Sequence, residues 1–106
     1  LEEINQPHVG CVFDTGNRVV DNINLGDEIS SLGGFIRHVH IKDKIKNGRN
    51  VLLGTGLVNF YDVFKSLNQI KYDGPLVFET TRGSDPKRTA IYHMEVCKFF
   101  NCESKE

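Results

Sequence analysis

Apolar residues fall into three short runs, each followed by an amphipathic stretch. The first run, "HVGCVFD" at 8–14, predicts a buried strand that stops at Asp14, and the following "TGN" predicts a turn. The chain is then irregular until "DEISSLGG" at 27–34, which predicts a short helix closed by Gly33 and Gly34. The second run, "FIRHVHI" at 35–41, predicts a strand. Its alternation puts Ile36, His38 and His40 on one face, and Phe35, Val39 and Ile41 on the other with Arg37 among them. Residues 42–56 are polar and rich in Gly and Asn, which predicts a long loop. In "NFYDVFKSLNQI" at 59–70, Phe60, Val63, Phe64 and Leu67 have the spacing of one buried helical face. The third run, "PLVFET" at 75–80, predicts a strand. A last helix follows from Pro86 to Phe100, with Asp85 as its N-cap and Pro86 at its first position. Ile91, Val96 and Phe99 or Phe100 are its candidate core residues, and 101–106 is expected to fray.

Strand and helix therefore alternate three times, the pattern of parallel strands with helices packed outside them. The side-chain faces suit a barrel wall. Val9, Cys11, Phe13, Leu76 and Phe78 are expected to face outward, under the helices. Gly10, Val12, Asp14, His38, His40, Val77 and Glu79 are expected to face inward.

Composition narrows the partners. The chain has 106 residues, 39% hydrophobic and 25% charged, with a net charge of −1. That suits one domain with a modest core and gives no electrostatic case for a nucleic acid or an anionic membrane. No run approaches the roughly 18 apolar residues of a membrane span, and no signal-like start is present, so a cytoplasmic location is expected. Cys11, Cys97 and Cys102 show no metal-type spacing and read as reduced structural thiols. The first residue is Leu1, which suggests a fragment or a processed product. No internal repeat or low-complexity tract is evident.

The candidate chemistry lies at the strand ends. Asp14, His40 and Glu79 each close a predicted parallel strand, the end at which parallel α/β folds build their sites. Two carboxylates and an imidazole suit Mn²⁺, Mg²⁺, Co²⁺ or Zn²⁺. Each residue also has an ordinary reading: a turn or cap aspartate, a satisfied strand-end histidine, an ion-paired glutamate. His38 shares the face of His40 and reads as a substrate contact, a hydrogen-bond partner of a ligand, or core filling. Asp43 reads as a group that orients His40 or caps a turn. His8 and His93 read as structural or exposed.

"VGCVFDTGN", "IRHVHIKD", "LLGTGLVNFYDVFKSL" and "YDGPLVFET", in this order and spacing, resemble the C-terminal part of the sugar-phosphate isomerase/epimerase superfamily, with its xylose isomerase-like TIM barrel. The resemblance runs from about Pro7 to Phe100 and is nearest to the L-ribulose and L-xylulose 5-phosphate 3-epimerases, whose glycine-framed loop "GRNVLLGTG" resembles. It implies an α/β fold made of about three βα units, the C-terminal part of a (β/α)8 barrel that takes about 250 residues in full. The whole chain, 1–106, would then be one partial barrel domain. The resemblance carries a divalent-metal site onto Asp14, His40 and Glu79, while the family's fourth ligand, a glutamate on an earlier strand, has no counterpart here.

The activity it implies is epimerisation or isomerisation of a sugar phosphate. A metal would bind the carbonyl and a neighbouring hydroxyl and stabilise an enediolate, one glutamate would remove the C3 proton, and another would return it to the opposite face. Glu79 would be one of these bases. Asn17 (where many members carry histidine), His38, Arg49 and Arg82 form the expected substrate-binding set, and Asp43 stands behind His40. Arg82, with Lys87 and Arg88 around the start of the last helix, is placed where barrels often bind phosphate. Thr55 departs from the glutamate that relatives often carry between the two glycines.

Open sheet edges imply pairing, either with the N-terminal part of the barrel or with a second copy. The resemblance also reaches AP endonucleases of the endonuclease IV type. Asn17 in place of a histidine, a glycine turn without a preceding Asp-x-His, and the lack of basic charge weigh against that activity. A non-catalytic barrel fragment or interaction module is the third reading.

Overall fold

In the computed structural model, residues 10–19 and 23–105 are described. The predicted positions His8 and Val9 lie outside them. The clearest helical signal forms α3, Phe60–Gln69. The Asn59 side chain accepts the Asp62 N–H at 3.1 Å and so fixes its start. Phe60, Val63, Phe64 and Leu67 are 0–4% exposed, as the spacing predicts.

The helix α2, Leu25–Leu32, begins two residues earlier than expected because Asn24 caps it, accepting the Asp27 N–H at 2.8 Å. It ends before the glycines. Gly33, at φ +51°, stops it and opens a 3-10 turn, Gly33–Phe35.

The last helix, α4, Pro86–Glu103, has the predicted Asp85 cap and outruns its predicted end. Its last turn is tied down, not frayed, because Asn68 donates to Asn101 Oδ1 and Ser104 Oγ. Its core side also differs from expectation. Cys97 joins the core, with Val96 and Phe100 packed against it, and His93 is 1% exposed. These residues make one i, i+3, i+4, i+7 stripe, while Ile91 and Phe99 lie off it and are 53% and 58% exposed.

The strands β1, Cys11–Asp14, β2, Ile36–Ile41, and β5, Leu76–Phe78, form a parallel sheet in the order β1-β2-β5. Phe13, Ile36, Val39 and Ile41 meet the helices in one core with Leu25, Ile29, Leu53, Phe60 and Val63. Ile36 therefore sits on the opposite face from the one that simple alternation assigns. The cause is a bulge: Cys11 pairs with Ile36, but Val12 pairs with His38, so Arg37 is the extra residue. Gly10 allows it, since a Cβ there would stand 2.0 Å from Arg37 Cγ.

The inner face is uncovered, with Val12 55% and Val77 42% exposed. Leu76, on the outer face, is also 40% exposed, beside a cleft it lines with Phe64, Leu67 and Tyr72.

Two expected irregular stretches are structured. "TGN" lies in a short helix, α1, Thr15–Val19. The polar loop contains an antiparallel hairpin of β3, Asp43–Lys44, and β4, Asn50–Val51. Strands of two residues carry too little pattern to be seen in sequence. No helix among the described residues is long and apolar enough to cross a membrane.

Candidate metal centre

The sheet register brings the strand ends together. Asp14 pairs with His40, and the Glu79 N–H donates to the Ile41 carbonyl at 3.1 Å, carrying the ladder one step past β5. One ligand atom from each of Asp14, His40 and Glu79 lies within 4.8 Å of the others. His40 Nδ1 stands 2.7 Å from Glu79 Oε1. Asp14 Oδ1 accepts the Asn17 N–H at 2.8 Å, which aims its other oxygen at the cluster.

A positive charge from the chain itself enters this group. Lys42 Nζ is 3.1 Å from Asp14 Oδ2 and 3.3 Å from Glu79 Oε1. Lys42 is two residues beyond His40, so it continues the inward face of β2 past the end of the strand. Burial alone would lower its ammonium; the hydrogen bonds and charges of Asp14 and Glu79 outweigh burial and hold it above its usual range. The hydrogen bond from His40, with Lys42 behind it, holds the Glu79 carboxyl below its usual range against slight desolvation.

The "DTGN" motif builds this placement. Thr15 is 0% exposed and grips the Lys42 backbone twice, its hydroxyl donating to the carbonyl at 2.6 Å and accepting the N–H at 3.0 Å. Gly16 leaves room for the lysine stem, since a Cβ there would stand 2.3 Å from Lys42 Cγ. Lys42, Thr15 and Gly16 escape the sequence reading, although the i, i+2 spacing from His40 was a signal for Lys42.

Asp43 has a different role from orienting His40. Its carboxylate is 0% exposed and accepts N–H groups from Lys44, Val58, Gly54 and Gly56 at 2.9–3.0 Å. It caps the whole 44–58 loop. Gly56 is required there, because a Cβ would stand 2.4 Å from Asp43 Oδ1.

The other expected contacts are dispersed. Asn17 serves the cluster through its backbone, and its side chain is exposed. His38 is exposed on the inner face, with no hydrogen bond into the cluster among the described residues. Arg49 is exposed beside the turn of the hairpin, where its N–H donates to Asn47 Oδ1 at 2.9 Å. Arg82 lines a cleft of about 240 Å³ with Phe78, Thr80, Thr89 and His93. Phe78 and Thr80 flank Glu79 in sequence, so this cleft opens on the other side of β5 from the cluster.

Three parallel strands, outer helices and a cluster of metal-ligating residue types at the strands' carboxyl ends define part of a (β/α)8 barrel. The chain belongs to the xylose isomerase-like TIM barrel family, whose model matches residues 1–99. A ketose 3-epimerase of Arthrobacter globiformis is 37% identical over 84 residues, 79% of this chain and 28% of that protein. An L-ribulose 3-epimerase of Methylomonas sp. (strain DH-1) is 32% identical over 89 residues, 82% of this chain and 30% of that protein. A solved L-ribulose 3-epimerase structure superposes with a TM-score of 0.83 at 20% identity, over 99% of this chain and 40% of that one. The chain thus spans less than a third of the length of these two curated relatives.

Proposed function

We propose that this chain is the metal-holding part of a ketose 3-epimerase. The observation that carries the reading is the convergence of Asp14, His40 and Glu79 within 4.8 Å, with a lysine ammonium already lodged between the two carboxylates as a cation would be. The donor set fits a divalent ion such as Mn²⁺, Mg²⁺, Co²⁺ or Zn²⁺. Asp14, His40 and Glu79 would hold it, and when bound it would supply Lewis-acid polarisation of the ketose carbonyl.

The residues of the chain do the rest. The Glu79 carboxylate accepts the proton from C3, the C–H electron pair becomes the C2–C3 double bond, and the carbonyl π pair moves onto the C2 oxygen to give an enediolate. A second base on the opposite face of the sugar then returns a proton to C3 with inverted configuration. Among the described residues the cluster holds no carboxylate beyond Asp14 and Glu79 to act as that second base. Turnover therefore depends on further barrel strands, which also cover Val12 and Val77, whether they come from the same longer protein or from another chain.

The two relatives are named for a ketose and for L-ribulose, without phosphate. Arg82, the expected phosphate contact, lines the cleft on the far side of β5. We therefore take the unphosphorylated sugar as substrate. Three free thiols suit a reducing compartment, the cytoplasm.

The test is calorimetric titration with Mn²⁺ of wild type and His40→Ala, followed by L-ribulose and its 5-phosphate in D₂O with the completed barrel. Saturable binding lost in His40→Ala, and C3 deuteration of the free ketose lost in Glu79→Gln, are expected. Mn²⁺ binding unaffected by His40→Ala would overturn the metal reading, and faster exchange of the 5-phosphate would overturn the substrate.

A further inference from the structure

We infer that Lys42 is the resident cation of the Asp14–Glu79 carboxylate pair and competes with a divalent ion for it. This rests on the reading of Asp14, His40 and Glu79 as metal ligands. Without such a cation, two carboxylates whose oxygens lie within 4.8 Å of each other would repel. Lys42 meets both at once, at 3.1 Å and 3.3 Å. Every ligand side chain is then already partnered: Asp14 by the Asn17 N–H and Lys42, Glu79 by His40 and Lys42, His40 by Glu79.

The arrangement is built, not incidental. The Lys42 side chain is 13% exposed, its backbone is gripped on both sides by Thr15, and its stem crosses the one place in α1 that lacks a Cβ, Gly16. A long surface lysine would need none of these. A divalent ion sits about 2.0–2.2 Å from carboxylate oxygens. Bound to these same two oxygens, it would stand within a few ångströms of the ammonium, so the two cations exclude each other. The flexible four-carbon stem lets the ammonium withdraw toward the barrel interior, where substrate oxygens would lie. Lys42 is thus a positioning residue: it keeps the carboxylates converged until the ion arrives.

The inference is tested by Mn²⁺ titration of wild type, Lys42→Met, Lys42→Arg and His40→Ala, each checked for a cooperative melt. Lys42→Met removes the charge and keeps the stem, and should bind Mn²⁺ about tenfold tighter or more than wild type. Lys42→Arg keeps the charge and should not gain. Without metal, Lys42→Met should melt below wild type, and Mn²⁺ should raise its melting temperature more than that of wild type. Binding by Lys42→Met that is equal to wild type, weaker or absent overturns the inference. So does an equal gain in Lys42→Arg. If wild-type binding is lost in His40→Ala while Lys42→Met shows no gain, the ligand set stands and only the role of Lys42 falls. If His40→Ala binds as wild type does, the ligand set itself falls.

Discussion

From His38 to Asp43 successive residues serve two different environments. Val39, Ile41 and Asp43 are each 0% exposed. His38, His40 and Lys42 point to the other side, where His38 is exposed and His40 and Lys42 meet carboxylates. One side is finished, with apolar groups under helices and a carboxylate saturated by four N–H groups. The other side keeps polar groups converged and apolar neighbours such as Val77 uncovered. The difference separates what makes this chain fold from what it offers to a ligand and to further barrel strands. Stability should depend on the odd-numbered residues of this stretch, and chemistry on the even-numbered ones.

The largest expected effect is on the finished side. Asp43→Ala leaves four N–H groups near a buried point without their acceptor, at a cost of about 3–5 kcal/mol. Thermal melting would show the loss, and hydrogen exchange would show Gly54, Gly56 and Val58 losing protection together. Unchanged protection would break the comparison, because Asp43 would then be a bystander.

Next is a matched pair of truncations. Ile41→Ala opens a cavity in the core and should cost about 2–5 kcal/mol. Val77→Ala, on the uncovered face, should stay within about 0.5 kcal/mol. Denaturant unfolding measures both. Equal costs would mean that the inner face is already packed. A Val77→Ala penalty that appears only when further barrel strands are present would sharpen the contrast.

Much of the finished side was legible in the sequence, because burial there follows helical or strand periodicity. Phe60, Val63, Phe64 and Leu67 needed only their spacing. Ile36 was misplaced because a bulge changes alternation without marking the sequence, and Gly10, which makes room for Arg37, looks like any strand glycine. The convergence of Asp14, His40 and Glu79 was legible because strand ends are few and ligating residue types stand out. Lys42 was not, and Asp43, read as orienting His40 or capping a turn, gave no sign that it holds a whole loop. A lysine after a strand is ordinarily a solvated charge, and the four donors to Asp43 come from up to 15 residues away, beyond any local pattern.

The cysteines give a smaller effect that depends on pH. Burial pushes the Cys97 thiol up to about 12, whereas Cys102 is exposed. An unfolded Cys97 would lose its proton from near 9.0, the ordinary thiol value, while the folded chain keeps it to about 12. The unfolded state then binds fewer protons, so stability falls as pH rises through that window, by at most about 1.4 kcal/mol per pH unit. Melts of wild type and Cys97→Ala from pH 8 to 11 should converge as pH rises. A thiol reagent should label Cys102 in the native chain and leave Cys97 until unfolding.

The smallest expected effect concerns Asn17, which separates a side-chain role from a backbone one. Its side chain is exposed, and its contribution to the cluster is the N–H that reaches Asp14 Oδ1 at 2.8 Å. Asn17→Ala keeps that N–H and should leave Mn²⁺ affinity within about twofold of wild type. Asn17→Pro removes the N–H at a position in the first turn of α1, where proline's fixed φ is tolerated. Asp14 then loses the bond that aims its second oxygen, and Mn²⁺ binding should weaken about tenfold or more. A large loss in Asn17→Ala would instead assign the side chain a direct role, and the inner face would gain a contact that the present geometry does not give it.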